Sequence, residues 1–257
     1  LEELYAGIRL ACSRYGVDLV GGDTSASLTG LCISITCLGA AREEEIVYRS
    51  GAQPTDLICV SGNLGAAYMG LQLLEREKRV FAGEKGDFEP DFAEHEYILE
   101  RQLRPEARQD IILALREKGL RPTSMIDSSD GLASELLHLA TESGVGVRIY
   151  EERLPIDIET HRMAEELNMS TTTVAMNGGE DFELIFTIPL AELDRLKELD
   201  GIHIIGHVTS PGQGCYLVTP DGAELRLRAQ GWPDEAVEYS PSDYIAHLPA
   251  IYSWLIK

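Results

Sequence analysis

Apolar residues along this chain follow two periods. Leu1, Leu4, Ile8, Ala11 and Cys12 lie on one helical stripe ended by Gly16, which predicts an opening helix. No methionine or capping residue precedes the stripe, so the chain reads as beginning inside a helix, with an N-terminal portion missing. Val17–Val20 reads as a short apolar strand that delivers Asp23. Leu31–Leu38 sets Leu31, Ile33, Ile35 and Cys37 against Cys32, Ser34 and Thr36, the period of two that marks a strand. Charged residues from Ala41 to Glu45 lead through Arg49-Ser50-Gly51 to Pro54, which predicts a boundary between two domains, residues 1–48 and 49–257. Leu57–Val60 reads as a buried strand that enters Ser61-Gly62-Asn63-Leu64-Gly65 and then a helix to about Glu77. Lys78–Glu96 reads as a surface connection. A further helix is expected from Arg104-Pro105-Glu106-Ala107-Arg108, with proline in its first turn and Gly119 past its end.

The remaining elements alternate. Leu132, Leu136, Leu139 and Ala140 form the stripe of a helix closed by Gly144. Val145–Tyr150, Glu183–Pro189 and Ile202–Val208 read as strands, Glu159–Asn168 and Ala191–Leu199 as helices. Cys215–Thr219 and Ala223–Arg228 form a hairpin around Pro220-Asp221-Gly222. This is the order of an α/β sheet packed by helices.

Candidate chemistry gathers where apolar runs stop at glycines, in Gly21-Gly22-Asp23-Thr24, Asp127-Ser128-Ser129-Asp130-Gly131 and Asn177-Gly178-Gly179-Glu180-Asp181. Short carboxylates on tight turns offer hard oxygen donors suited to Mg²⁺, which in turn holds phosphates. Asp127 or Asp130 could instead cap the helix that follows. The strand, glycine turn and helix around Gly62 could present backbone N–H groups to a phosphate, but no Gly-Lys-Ser/Thr ends the turn, and glycine also serves such turns sterically. Arg104 and Arg108 read as partners of local glutamates more readily than as an anion clamp. His203 and His207 read as a solvent-facing pair.

Charge narrows the choice of partner. The chain of 257 residues carries 22 basic against 43 acidic residues, a formal net charge of −21. Nucleic acid or an anionic membrane needs a basic footprint, so neither is expected. An anionic nucleotide stays admissible, because bound Mg²⁺ reverses the local sign. The five cysteines (Cys12, Cys32, Cys37, Cys59, Cys215) are scattered without metal-ligand spacing and read as buried thiols of a cytoplasmic protein. No apolar run approaches the roughly 18 residues of a membrane span.

Met125-Ile126-Asp127-Ser128-Ser129-Asp130-Gly131-Leu132 followed by Gly178-Gly179-Glu180-Asp181-Phe182-Glu183-Leu184 closely resembles the thiamine-monophosphate kinase family. Gly21-Gly22-Asp23-Thr24, Arg49-Ser50-Gly51-Ala52, the Ser61–Gly65 turn and Arg104-Pro105 with Arg108 follow that family's order and spacing, so the resemblance runs from residue 1 to about 232. It implies the two-domain fold of the aminoimidazole ribonucleotide synthetase-like superfamily, which includes selenophosphate synthetase and a hydrogenase maturation protein. It also implies transfer of the γ-phosphoryl of ATP onto thiamine monophosphate, with several Mg²⁺ ions, in a cytoplasmic homodimer paired through N-terminal strands. Carried over by position, Asp23, Asp127 and Asp130 would ligate Mg²⁺. Gly22, Asp23, Arg49 and Ser129 would contact ATP, and Glu180 with Trp232 would contact thiamine monophosphate. The resemblance names no general base, since a phosphate oxygen is already a competent nucleophile. The family's Gly-Asp-Asp-Ala segment, a further aspartate and a histidine near the substrate have no counterpart here, and Pro233-Asp234-Glu235-Ala236 departs from its aromatic ending. Two other readings remain: another ATP-using enzyme of the superfamily (a synthetase or maturation factor), and a non-catalytic nucleotide- or metal-binding module.

Overall fold

The structure is a computed structural model that describes residues 1–28, 30–81, 92 and 94–229. Trp232 lies outside the described residues. The chain divides into two compact units, Leu1–Ile46 and Val47–Lys257.

In the first unit, α1 (Glu2–Tyr15) ends at Gly16, whose φ of 64° and ψ of 39° place it in the left-handed region. Only glycine adopts that conformation without steric cost, and it turns the Gly16 N–H back onto the Cys12 carbonyl. No residue of α1 is buried. A short 3₁₀ turn, Glu43–Glu45, is held by Arg42. The strands expected at Val17–Val20 and Leu31–Leu38 do not form, and Val20 and Leu38 stand 90% and 89% exposed. A strand is a property of a pair. Alternation supplies the faces, but the ladder needs a partner's N–H and C=O groups, and none is offered among the described residues of this unit.

The second unit holds a seven-stranded sheet ordered β2-β4-β1-β5-β3-β6-β7. Its strands are β1 (Leu57–Ser61), β2 (Ser124–Asp127), β3 (Gly146–Tyr150), β4 (Leu184–Ile188), β5 (Ile202–Thr209), β6 (Cys215–Val218) and β7 (Glu224–Arg226). All neighbours are antiparallel except β3 and β6, which run parallel. Central β1 is buried at every position because helices cover both faces. Ile58 and Val60 pack with Leu132, Leu136 and Leu139 of α5 (Leu132–Ser143). On the other face Leu57 and Cys59 meet Ile111 and Leu115 of α4 (Gln109–Glu117). A strand covered on two faces reads as an unbroken apolar run.

Around the sheet lie α2 (Ala66–Phe81), α3 (Glu96–Leu103), α6 (Ile158–Glu166), α7 (Thr171–Asn177) and α8 (Leu193–Leu196). Arg104-Pro105 closes a helix instead of opening one. Proline drives the residue before it out of the α region, so Arg104 is the C-cap of α3 and the next helix starts at Gln109. Helix α7, unforeseen in its threonine-rich stretch, is capped by Ser170 and holds Val174, Ala175 and Met176 in the core. The helix expected over Ala191–Leu199 shrinks to a 3₁₀ turn and the four residues of α8. Of the cysteines, all free, only Cys59 is buried, which raises its thiol pKa well above the usual range; Cys32 and Cys37 are exposed because their segment joins no sheet. Among the described residues no helix is long and apolar enough to cross a membrane.

Candidate functional site

Strands β2 and β4 are antiparallel neighbours with Asp127 opposite Leu184. The loop that leaves β2 and the loop that enters β4 therefore emerge at one end of the sheet. They are stitched together by backbone bonds: Ser128 N–H to the Glu183 carbonyl at 2.7 Å, Phe182 N–H to Ser128 at 2.9 Å, and Glu180 N–H to Ser129 at 2.8 Å. A side chain on Gly179 would press on the Ser129 carbonyl at 2.8 Å, so the approach requires glycine. Two of the sequence clusters thus become one surface. On it Asp127, Asp130 and Glu180 are exposed, Ser129 is half-buried and Ser128 is buried.

Neither aspartate caps α5. The N-cap is Gly131, at φ 107°, with no side-chain cap bond. The turn is held instead by Glu135, which is 1% exposed and accepts the N–H groups of Ser129 and Asp130 at 3.0 and 2.7 Å. Asp127 and Asp130 are left free to face solvent or a ligand.

The other acids of the motif point inward. Asp181 is 2% exposed and accepts from Gly65 N–H at 2.7 Å and Ala67 N–H at 3.3 Å, so a carboxylate from a distant loop caps α2. Burial pushes its pKa up to about 6, against the stabilising pull of those N–H groups and of Arg101. Buried Glu183 accepts from Ser61 Oγ at 2.5 Å, pairs with Arg101 at 2.8 Å and pairs closely with Arg108. Arg101 also donates to the Asp181 carbonyl at 3.0 Å. The Ser61–Gly65 turn is consequently no phosphate cradle: Gly62 N–H goes to Gly201, Leu64 N–H to Pro155, and Gly65 N–H to Asp181. Arg108 pairs with the local Asp110 and with the distant Glu183, so its partners are carboxylates but not the local glutamates expected. Alternation in Glu180-Asp181-Phe182-Glu183 was the available signal that every second residue faces inward; Arg101 and Glu135 carried none. Exposed Glu180 sits at φ 60° and Phe182 at φ 51°. Such left-handed positions cost about 1–3 kcal/mol for non-glycine residues, and the bonds to Ser128 and Ser129 hold them.

Arg49 is exposed on the segment whose Tyr48 carbonyl accepts from Met125 N–H of β2 at 2.9 Å. Gly51 and Ala52 N–H groups, which follow, both donate to Ser143 Oγ at the end of α5. Gly22 and Asp23 belong to the first unit and are exposed. Next to the Glu180 loop, a cavity of about 310 Å³ is lined by Ala133, Thr172, Met176, Asn177, Leu227 and Arg228, among others. His203 is exposed, while His207 is half-buried against Tyr150, its Nδ1 3.3 Å from the phenol oxygen, and burial lowers its pKa.

No group of three or more His, Cys, Asp or Glu side chains converges on a metal-sized site among the described residues. Asp127 and Asp130 nevertheless fit Mg²⁺. This ion keeps several waters and is commonly held by one or two carboxylates together with substrate phosphates.

Comparison with known proteins agrees with this architecture. The profile of the AIR synthase related protein, N-terminal domain, matches residues 1–41. The thiamine-monophosphate kinase of Aquifex aeolicus (strain VF5) is 33% identical over 221 residues, which cover 82% of this chain and 67% of that protein. That of Bacillus subtilis (strain 168) is 30% identical over 239 residues, 90% of this chain and 69% of the relative. A solved structure of AaThiL complexed with AMPPCP and TMP matches with a TM-score of 0.69 at 30% identity, covering 91% of this chain and 68% of that one. The fold is of the AIR synthase-like class. Within it, the chain belongs to the thiamine-monophosphate kinase family, whose curated members are kinases.

Proposed function

We propose that this chain takes part in transfer of the γ-phosphoryl of ATP to thiamine monophosphate, giving thiamine diphosphate and ADP. The observation that carries the reading is the single surface on which exposed Asp127 and Asp130 flank Ser129, stitched to the loop that presents Glu180. The solved structure of AaThiL complexed with AMPPCP and TMP supports both ligands. Asp127 and Asp130 are the ligands we assign to Mg²⁺, and Asp23 carries the same assignment by its place in the family's Gly-Gly-Asp-Thr motif. The ion, when bound, neutralises phosphate charge and suppresses repulsion between donor and acceptor. Ser129 offers a hydroxyl, and Arg49 a planar cationic fork, to the ATP phosphates. Gly22 leaves room for close approach of backbone to nucleotide. Glu180 presents a carboxylate to the cationic thiazolium or the aminopyrimidine of the acceptor. Because that acceptor oxygen is already anionic, the residues act by positioning and charge balance rather than by proton abstraction.

In this reading residues 1–48 are part of an ATP- and metal-binding, dimer-forming domain and residues 49–257 a C-terminal α/β domain. The exposed apolar side chains of Leu31, Ile33 and Ile35 support a homodimer. Free thiols and the use of ATP suit a cytoplasmic location.

Incubation of the chain with ATP, Mg²⁺ and thiamine monophosphate tests the reading, with thiamine diphosphate measured by chromatography. Formation of thiamine diphosphate is expected. Conversion of a different acceptor, with thiamine monophosphate left intact, would overturn it. Glu180→Gln should raise KM for thiamine monophosphate and lower kcat while sparing ATP affinity; equal weakening of both ligands would remove Glu180 from the acceptor site.

A further inference from the structure

Glu135 stands in the first turn of α5, but its side chain does not serve the helix. In a capping box a residue at the third helical position reaches back to the N-cap amide. Glu135 lies one position later and reaches past Gly131 to the two residues before it. Its Oε1 accepts from Asp130 N–H at 2.7 Å, Ser129 N–H at 3.0 Å and Ser129 Oγ–H at 3.3 Å. Its Oε2 is buried without a hydrogen-bond partner among the described residues, and the same is true of Ser128 Oγ in the same turn. A half-satisfied buried carboxylate is a costly means of fixing a turn. The exposed Asp127 and Asp130 carboxylates take part in none of the bonds that hold this turn, so their aim depends on its backbone.

We infer that Glu135 is a positioning residue, which fixes the Asp127–Asp130 turn in the geometry that receives a Mg²⁺-bound nucleotide. The inference rests on the reading of Asp127, Ser129 and Asp130 as contacts of that ligand. It adds the residue behind them, which touches neither metal nor phosphate. Displacements of about an ångström at a binding constellation are costly, and three bonds onto one buried oxygen prevent such drift.

The test compares Glu135→Gln with Glu135→Met in the 257-residue chain. Glutamine keeps an acceptor oxygen in place, whereas methionine keeps length, burial and helix propensity but accepts nothing useful. Two readouts apart from activity are amide hydrogen exchange at Ser129 and Asp130, and calorimetric affinity for Mg²⁺·ADP. In Glu135→Met those two amides should exchange about tenfold faster or more, while the interior amides of α5 stay protected. Mg²⁺·ADP affinity should fall about fivefold or more, and Glu135→Gln should restore both readouts to within about threefold of the parent.

Unchanged Mg²⁺·ADP affinity in Glu135→Met overturns the inference, because Glu135 then serves the fold alone. Weak affinity in Glu135→Gln with its amides still protected also overturns it, since charge rather than placement would be responsible. Should Glu135→Met fail to fold, Glu135→Gln decides: turn and affinity retained together, or lost together, support positioning, and faster exchange with unchanged affinity overturns it. A parent chain that binds no Mg²⁺·ADP overturns the nucleotide reading and the inference with it. Normal parent binding beside an indifferent methionine variant overturns the inference alone.

Discussion

Asp127 and Asp130 hold no cap and face outward, so removing one charge should leave the fold intact while weakening the site. Asp127→Asn and Asp130→Asn are expected to lower Mg²⁺-dependent turnover by about a hundredfold or more, with stability within about 0.5 kcal/mol of the parent. Turnover at saturating Mg²⁺ and denaturant melts check this; near-normal turnover would return the residue to a surface role. Asp181 makes the opposite case. Its pKa is raised to about 6, chiefly by burial, against 3.8 for the ordinary group. The folded state therefore holds this proton more tightly than the unfolded chain does. The group's contribution to stability is fully present below about pH 4 and is lost as pH rises through about 6, a swing on the order of 2–3 kcal/mol. Asp181→Asn removes the titration, so the variant's stability relative to the parent should improve between pH 4 and 6.5, read from urea midpoints. A difference constant across that range would show that Asp181 stays charged. Asp127 and Asp130 were legible as candidate ligands because the motif isolates them. The inward roles of Asp181, Glu183 and Glu135 were not, since composition does not say which acid of a cluster faces the core.

At the scale of elements, two helix glycines separate propensity from packing. Gly7 of α1 has open space where a Cβ would stand, whereas a Cβ on Gly70 of α2 would overlap the Ile98 carbonyl of α3. Gly7→Ala should stabilise by about 0.5–1 kcal/mol through helix propensity. Gly70→Ala gains the same propensity but must push α3 away, and overpacking of this kind costs about 1–3 kcal/mol. Opposite signs in thermal melts are expected; a stabilised Gly70→Ala would mean that α2 and α3 are not tightly packed. Helix α2 was readable as the segment that follows the Ser61–Gly65 turn, but its cap was not, because that cap arrives from residue 181. The Leu31–Leu38 alternation predicted a strand that the first unit does not form, because periodicity sets which faces are apolar and leaves pairing to the rest of the fold.

Across the whole molecule, stability should be uneven. Ile58, Cys59 and Val60 of β1 are fully buried between β4 and β5, whereas residues 31–41 have no ladder bonds and no buried side chain. In the isolated chain, β1 amides should exchange only through global opening, and those of residues 31–41 at nearly unprotected rates. Protection of 31–41 that grows with protein concentration would support self-association through this segment. The sequence by itself determined the α/β class, the apolar runs that became β1, β4 and β5, the family motifs and the acidic clusters to which the proposed chemistry is assigned. These depend on local period, turn chemistry and residue type, which are written in neighbouring positions. Only the tertiary structure decided that the sheet is mixed and largely antiparallel, that the Asp127 and Glu180 loops share one surface, and that Asp181, Glu183 and Glu135 serve as buried ties. Each of those depends on partners far apart in the chain, and local sequence carries no record of which distant N–H or guanidinium will satisfy a buried carboxylate.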